Sequence, residues 1–185
     1  MNPLPQATKQ WLLAIGLLII TTLSSLPASA DLENYRLAAD DTISMAVYNE
    51  PDLSLTGTRI ATNGTIAVPL LGQIKVSGLT ITEIENKVTA LFADGYLKKP
   101  ALNVSIDEYR PFYINGEVKK PGGYSYRDGL TVHKAVTLAG GFSERAAKDG
   151  ISLQHEDSAD MEAIRVKLTD PIRPGDIITV KESFF

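Results

Sequence analysis

The chain has 185 residues, and its 18 lysines and arginines against 22 aspartates and glutamates give a formal net charge of −4. This mildly acidic balance lacks the basic footprint with which proteins hold nucleic acid, so we expect no nucleic-acid partner. The sequence contains no cysteine. That excludes disulfides, thiolate nucleophiles, thiolate metal ligands and a lipidated cysteine, so we do not expect a lipoprotein.

Residues 1–30 are predicted to be a secretory signal peptide that is cleaved between Ala30 and Asp31. Lys9 is the one charged side chain in this segment, an apolar run follows at residues 11–20, and the segment ends in small residues. These are the three parts of a signal peptide. The apolar run is too short to span the roughly 30 Å hydrocarbon core of a membrane. A retained membrane anchor is the alternative, but we expect a secreted mature protein.

Residues 31–109 are predicted to form a first unit of strands and one helix. Asn63 and Gly64 are a strong hairpin signal between two segments in which apolar residues alternate. Thr80 and Glu83 fit a capping box, which predicts that a helix begins there. The apolar face of that helix is predicted to hold Ile81, Ile84, Val88, Leu91 and Phe92. Strands are predicted near residues 43–47, 66–70, 74–76 and 102–106.

Residues 110–185 are predicted to form a second unit of the β-grasp type, in which a sheet wraps one helix. Gly116 marks a bend in the first strand, and a Pro-Gly turn follows. Thr131 is predicted to cap a short helix that Gly140 and Gly141 end. Strands are predicted near residues 112–118, 151–153, 164–168 and 177–180. The predicted fold class is therefore α+β, with two small mixed domains.

Catalytic and metal-binding hypotheses have little support in the residue pattern. His155, Glu156, Asp157 and Asp160 could hold a divalent cation. No second histidine lies nearby, however, and a solvated hairpin tip is the favoured interpretation. His133 stands alone in the short helix, and the sequence contains no recognised nucleophile or phosphate-loop motif. We predict no catalytic residue, no metal site and no cofactor.

The motifs of residues 31–109 resemble the polysaccharide export (PES) domain of bacterial polysaccharide export proteins. They comprise a Tyr-x-Leu opening, Pro-x-Leu-Ser, a glycine-containing hairpin, Pro-Leu-Leu-Gly and Gly-Leu-Thr, in that order. The motif residues of this domain are Pro51, Gly64, Pro69 and Gly72. The family commonly has Gly-Asp where this chain has Asp40 and Asp41. A turn with positive φ must therefore be reached differently here, or avoided.

The second unit resembles the SLBB (soluble ligand-binding β-grasp) module of the same family. In that module a Gly-Glu-Val-x-x-Pro-Gly strand and turn precede a helix that ends in Ala-Gly-Gly. The motif residues of the second unit, which we expect to be structural, are Gly116, Glu117, Pro121, Gly122, Gly140, Gly141, Gly175 and Asp176. The two resemblances together cover nearly all of the predicted mature chain.

The resemblance implies transport without catalysis. Members of the family are similar to subunits of ring-shaped periplasmic and outer-membrane conduits, which pass capsule or exopolysaccharide outward and work with an inner-membrane polysaccharide co-polymerase. Larger relatives end in an amphipathic helix that crosses the outer membrane, whereas this sequence ends just after its last predicted strand. We therefore expect a periplasmic homo-oligomer, associated with the outer membrane, that uses a separate outer-membrane β-barrel pore.

Two other functions stay open at this point. The chain could be a periplasmic carbohydrate-binding or regulatory module that forms no pore, or a secreted hydrolase or lyase whose catalytic site has no recognisable motif. Aromatic residues near the second unit could stack on sugar rings, although strand positions favour packing against neighbouring side chains. These residues are Tyr109, Phe112, Tyr113, Tyr124 and Tyr126.

Overall fold

A computed structural model describes residues 34–156 and 162–183 of the chain. The predicted signal peptide and its cleavage site between Ala30 and Asp31 lie outside these residues. Asp157 and Asp160 of the predicted hairpin tip lie outside them as well.

From residue 34, where the described part begins, the first unit contains five strands, one complete 3-10 helix and one α-helix. They are β1 (Thr42–Val47), the 3-10 helix Pro51–Leu53, β2 (Leu55–Arg59), β3 (Thr65–Val68), β4 (Gly72–Lys75), α1 (Ile81–Ala93) and β5 (Leu102–Glu108). β1 lies between β2 and β5 in an antiparallel sheet, and β3 pairs with β4 as a separate antiparallel hairpin. Alternate residues of β1 are buried, as expected for a strand with one face on the core.

Helix α1 begins where the sequence predicts. The Glu83 amide donates to Thr80 Oγ1 at 3.3 Å, and the Thr80 amide donates to Glu83 Oε2 at 2.8 Å. These two bonds form the predicted capping box, which satisfies backbone donors that the first helical turn leaves unpaired. The bond from the Thr80 amide is the largest cause that lowers the pKa of Glu83 below its ordinary value.

The apolar face of α1 is narrower than the sequence predicts. Ile84, Val88 and Phe92 are fully buried, and Ile81 is half-buried. Leu91 is exposed, so its assignment to the buried face is wrong. The three buried positions are spaced four residues apart and define a stripe, and Leu91 lies at its edge.

The predicted strand over residues 66–70 is too long. β3 ends at Val68, and Leu70 lies in the turn of the β3–β4 hairpin with φ of +65° and 62% of its surface exposed. A leucine is unfavourable in the left-handed region of φ and ψ. Because the Leu70 side chain is mostly exposed, its burial does not offset this cost. The sequence alternation continued past the end of the strand because the hairpin turn itself is apolar.

In residues 110–156 and 162–183, the second unit contains five strands and one helix. They are β6 (Phe112–Gly116), β7 (Gly122–Tyr124), α2 (Val132–Leu138), β8 (Ala146–Gln154), β9 (Ile164–Arg165) and β10 (Ile177–Glu182). The strands form one sheet in the order β7-β6-β10-β8-β9, in which β10 pairs parallel with β6 and antiparallel with β8. The central position thus belongs to the last strand of the described chain.

Helix α2 covers this sheet, as a β-grasp arrangement requires. Its buried residues Val132, Ala135 and Val136 share one core with side chains of β6, β8 and β10. The Lys134 amide donates to the Oγ1 of Thr131 at 3.4 Å, which confirms the predicted N-cap. Gly140 and Gly141 follow the helix with positive φ.

Two strand predictions in the second unit extend too far. The strand predicted over residues 112–118 ends at Gly116, and Val118 instead makes an isolated bridge with Phe142. The strand predicted over residues 164–168 ends at Arg165. The α+β fold with two mixed domains is confirmed, and each unit has its own apolar core. Among the residues that the structure describes, no helix combines the length and apolar character needed to cross a membrane.

Candidate functional site at the junction of the two units

Three charged side chains in residues 34–156 and 162–183 are buried: Asp41 and Arg110 contact each other where the two units meet, and Asp176 follows Gly175, which lies against Arg110. Asp41, Arg110 and Asp176 are 0%, 3% and 1% exposed. Buried charges are costly unless they are paired and hydrogen-bonded. The buried charged side chains of the described residues are therefore found at or next to this junction, which makes it the candidate functional site.

Asp41 is held by donors from both units. Its carboxylate accepts hydrogen bonds from the Tyr35 hydroxyl, which lies 2.8 and 2.9 Å from the two oxygens, and from the Ala38 amide at 2.8 Å. The Arg110 amide donates to Oδ1 at 2.7 Å, and Arg110 Nη1 lies 4.0 Å from Oδ2. These donors replace the water that burial removes from the carboxylate.

The guanidinium of Arg110 links the same carboxylate to the second unit. Its Nε lies 3.0 Å from Glu156 Oε2, and its Nη1 donates to the Tyr35 hydroxyl at 3.2 Å. The guanidinium also lies 5.8 Å from the centre of the Tyr35 ring, within the range of a cation–π contact. Arg110 therefore contacts an acid of each unit, Asp41 and Glu156.

The predicted motif residues Gly175 and Asp176 belong to this junction. The Asp176 carboxylate accepts from the Arg173 amide and contacts His155 Nδ1, both at 2.7 Å, and the Asp176 carbonyl accepts from the Tyr113 amide at 2.8 Å. Burial raises the pKa of Asp176 above its ordinary value, although the His155 contact and the Arg173 amide act in the opposite direction. The turn that carries Asp176 thus anchors β10 beside β6.

The space around position 175 is too small for any residue with a side chain. Gly175 has a φ of +83°, and a Cβ at this position would overlap the side chains of Arg110 and Glu156. The Gly175 amide donates to the Pro111 carbonyl at 3.2 Å. The absence of a side chain therefore lets the turn lie directly against the buried guanidinium.

Three tyrosine rings extend the junction from one unit to the other. The rings of Tyr35 and Tyr109 meet edge to face at 5.1 Å between centroids, and those of Tyr109 and Tyr126 do so at 5.5 Å. This is a favoured geometry for aromatic pairs. Tyr126 is 4% exposed, and its buried hydroxyl has no hydrogen-bond partner among the described residues. Burial is the main cause that raises the pKa of Tyr126 to about 12, and the Asp128 carboxylate adds to it.

A cleft of about 500 Å³ lies at this tyrosine stack and is lined by both units. The end of the first unit contributes Asp107 and Glu108, followed by Tyr109, and the second unit contributes the segment 125–128. The lining residues thus include three acids, one arginine, one serine and two tyrosines. This combination can accept hydrogen bonds and can pack against an apolar face of a ligand.

The other predicted motif residues lie elsewhere. Those of the first unit occupy turns and element ends, and they are Pro51, Gly64, Pro69 and Gly72. Those of the second unit cluster at the end of α2 and at the β6–β7 connection, and they are Gly116, Glu117, Pro121, Gly122, Gly140 and Gly141. In this second group Glu117 accepts a hydrogen bond from Ser143 Oγ at 2.5 Å and lies 3.3 Å from Arg145 Nη2. These residues remain predictions of structural roles.

Gly116 has a specific steric role within that second group. Its φ is +77°, and a Cβ there would overlap the backbone carbonyl of Val180 in β10. The Glu117 amide donates to that same carbonyl at 3.0 Å. The bend at Gly116 therefore keeps β6 close to the central strand.

Sequence reasoning missed Asp41 and Arg110. The sequence held one signal for Asp41: the family commonly has Gly-Asp where this chain has Asp40 and Asp41, so Asp41 occupies the position of the family's aspartate. Asp40 adopts the positive φ, +70°, so the turn is reached with an aspartate in place of glycine, and the buried carboxylate is Asp41. Nothing in the local sequence around Arg110 indicates that it is buried.

The histidines do not converge on a metal-binding geometry. His155 contacts Asp176, Glu156 pairs with Arg110, and His133 is exposed on α2. Within the described ranges, no group of three or more histidine, cysteine or acidic side chains has an arrangement that could hold a metal ion.

The five aromatic residues considered for sugar contact differ in how exposed their side chains are. Phe112 and Tyr126 are buried, whereas Tyr113 is exposed. Tyr109 and Tyr124 are half-buried, and the Tyr124 ring stacks on Phe112 at 5.9 Å. Of the five, Tyr109 and Tyr126 line the junction cleft.

Comparison with known proteins assigns a domain to each unit. The family model described as "Polysaccharide biosynthesis/export protein" matches residues 29–107, and the SLBB domain model matches residues 111–161. The Exopolysaccharide production protein ExoF of Rhizobium meliloti (strain 1021) is 36% identical over 106 residues, which are 52% of this chain and 25% of that protein.

Two further relatives are named as export proteins. The "EPS I polysaccharide export outer membrane protein EpsA" of Ralstonia nicotianae is 28% identical over 189 residues, covering 84% of this chain and 49% of that protein. The protein of the same name from Ralstonia solanacearum is 30% identical over 134 residues, covering 59% and 35%. The matches thus span between a quarter and about half of the length of these curated relatives. The chain belongs to the polysaccharide export protein family, with a polysaccharide biosynthesis/export domain followed by an SLBB domain.

Proposed function

We propose that this chain is a non-enzymatic subunit of a conduit that exports capsule or exopolysaccharide. The observation that carries the proposal is the order of the two matched domains, together with the buried junction that fixes one against the other. A subunit that must present both domains in one orientation needs such a junction. The names of the ExoF and EpsA relatives support the same role.

The proposal includes assembly and location. The subunit forms a homo-oligomeric ring in the periplasm at the outer membrane, receives polymer from an inner-membrane polysaccharide co-polymerase, and delivers it to a separate outer-membrane β-barrel pore.

A second candidate is favoured by the junction cleft. A periplasmic carbohydrate-binding or regulatory module would need a concave polar site but no pore, and the cleft of about 500 Å³ supplies one. Native mass spectrometry of the protein extracted from its own envelope separates the two candidates. A closed oligomer of defined copy number supports the conduit, and a monomer that still binds glycan supports the module.

The export role is tested with an in-frame deletion in the source bacterium. Polysaccharide is quantified in cell-surface, periplasmic and cytoplasmic fractions, with the gene supplied in trans as the complementing control. We expect the surface polymer to disappear and polymer to accumulate in the periplasm, with both effects reversed by the gene. Unchanged surface polymer would contradict the export role.

A further inference from the structure

The cleft at the junction presents the groups with which proteins recognise sugars. Asp107, Glu108 and Asp128 supply carboxylates, which accept hydrogen bonds from hydroxyl groups, and Tyr109 supplies a half-buried ring. The Asp107 carboxylate accepts from Ser44 Oγ at 2.5 Å, which orients it on β5. The volume of about 500 Å³ falls within the range of roughly 300–1,000 Å³ typical of small-molecule sites.

Tyr126 gives a second and independent indication of a ligand. Tyr126 is one of the residues that line the cleft, yet its hydroxyl is buried without a hydrogen-bond partner among the described residues. Buried hydroxyls are normally paired, and an unpaired one calls for a specific explanation. Asp128 and Tyr109, two other residues of the cleft, are close enough to act on the ionisation of this hydroxyl. Because the hydroxyl itself has almost no accessible surface, a ligand would pair with it only through a shift of the side chains that cover it.

The charge of the lining selects the class of polymer. Three carboxylates stand against the single guanidinium of Arg127, so an acidic polymer would be repelled and would leave the carboxylates unpaired. Neutral sugars carry many hydroxyl donors and apolar ring faces, which match carboxylates and a tyrosine ring respectively.

We propose that the junction cleft binds a short segment of neutral polysaccharide, with Asp128 and Glu108 accepting its hydroxyl groups and Tyr109 packing on a sugar ring. The proposal rests on the proposed function in taking the exported polymer as the ligand. Because residues of both units line the cleft, glycan binding would also depend on the correct arrangement of the two units.

The test is isothermal titration calorimetry of the 185-residue protein. The neutral probes are isomalto-, manno- and galacto-oligosaccharides and neutral fragments released by mild acid from the surface polymer of the parent strain. An oligogalacturonate of matched length is the acidic probe. We expect at least one neutral probe to bind and the acidic probe to bind at least about tenfold more weakly.

Substitutions locate the binding. Asp128→Asn removes one charged acceptor at an exposed position, and we expect it to weaken binding about tenfold without lowering the Tm. Tyr126→Phe removes only the unpaired hydroxyl, so we expect weaker binding together with an unchanged or higher Tm. Asp149→Asn changes an exposed acid outside the cleft, and it should leave the affinity within about twofold of the parent.

The possible outcomes are distinct. Absence of binding by every neutral probe, tighter binding of oligogalacturonate, or binding that Asp128→Asn and Tyr126→Phe both leave unchanged would each overturn the proposal. The deletion experiment is read separately. Lost surface polymer without glycan binding would remove the cleft proposal and keep the export role. Glycan binding with unchanged surface polymer would remove the export role and keep the cleft as a glycan-binding site.

Discussion

The backbone amide of Arg110 donates a 2.7 Å hydrogen bond to Oδ1 of Asp41, a residue 69 positions earlier in the chain. Arg110 stands between the two units, and Asp41 immediately precedes the first strand. Because the donor is the main chain, any residue except proline at position 110 can make this bond. The side-chain contacts of Arg110 then add its charge to the same carboxylate.

Truncation of the buried guanidinium should be among the most damaging single changes. We expect Arg110→Ala to lower the free energy of unfolding by about 3–5 kcal/mol, because it leaves the Asp41 carboxylate buried without its cation. Urea denaturation measures the change. The control is Arg145→Ala, which breaks exposed pairs with Glu117 and Glu182 and should cost no more than about 1 kcal/mol. Equal losses in the two variants would contradict the structural role of the junction.

Gly116→Ala tests the close approach of β6 to β10. The new Cβ meets the Val180 carbonyl, which cannot move without disturbing the central strand. The control, Gly95→Ala, shares the positive φ but has open space around the position. We expect Gly116→Ala to cost about 1–3 kcal/mol more than the control, as overpacking usually does. Thermal and urea unfolding of both variants check this, and equal costs would rule out the steric explanation.

Leu70 has a backbone conformation that an asparagine tolerates better. We expect Leu70→Asn to raise the free energy of unfolding by about 0.5–1 kcal/mol, because asparagine is enriched in the left-handed region and little buried surface is lost. Leu91→Asn, at an exposed position inside α1, should instead lower it by about 0.5 kcal/mol through helix propensity. A loss of stability at position 70 would mean that this leucine makes contacts that outweigh its strain.

Tyr126 should make the stability fall at alkaline pH. The unfolded chain releases this proton near the ordinary pKa of 10.0, whereas the native protein retains it until about 12. Between these values the native state binds more protons, so the free energy of unfolding decreases as pH rises. The slope from one such group is at most about 1.4 kcal/mol per pH unit. We expect Tyr126→Phe to flatten the urea-unfolding profile over this window, and an unchanged profile would contradict the prediction.

Local structure was largely predictable from the sequence because its causes are local. The capping box of Thr80 and Glu83, the N-cap at Thr131 and the glycines after α2 each act within a few residues. The end of β3 was misplaced because alternation cannot distinguish a strand from an apolar turn, as Leu70 demonstrates.

The junction was not predictable for the opposite reason. Asp41, Arg110 and Glu156 are far apart in sequence, and each reads as an ordinary surface charge in its own segment. Only tertiary structure brings them together, since burial of a charge depends on its partners and leaves no local pattern. Gly175 and Asp176 were identified through the family resemblance, but their contact with Arg110 was not.

The central position of β10 determines the order in which the second unit can fold. Ile178 and Val180 belong to its core, yet they are synthesised after every other strand of the sheet. Until they emerge, β6 and β8 have no strand between them and Tyr113 has no Asp176 carbonyl to bind. Long-range pairing of this kind delays folding. A chain that is cut before residue 177 would therefore lack the central strand of this sheet and two residues of the core, Ile178 and Val180.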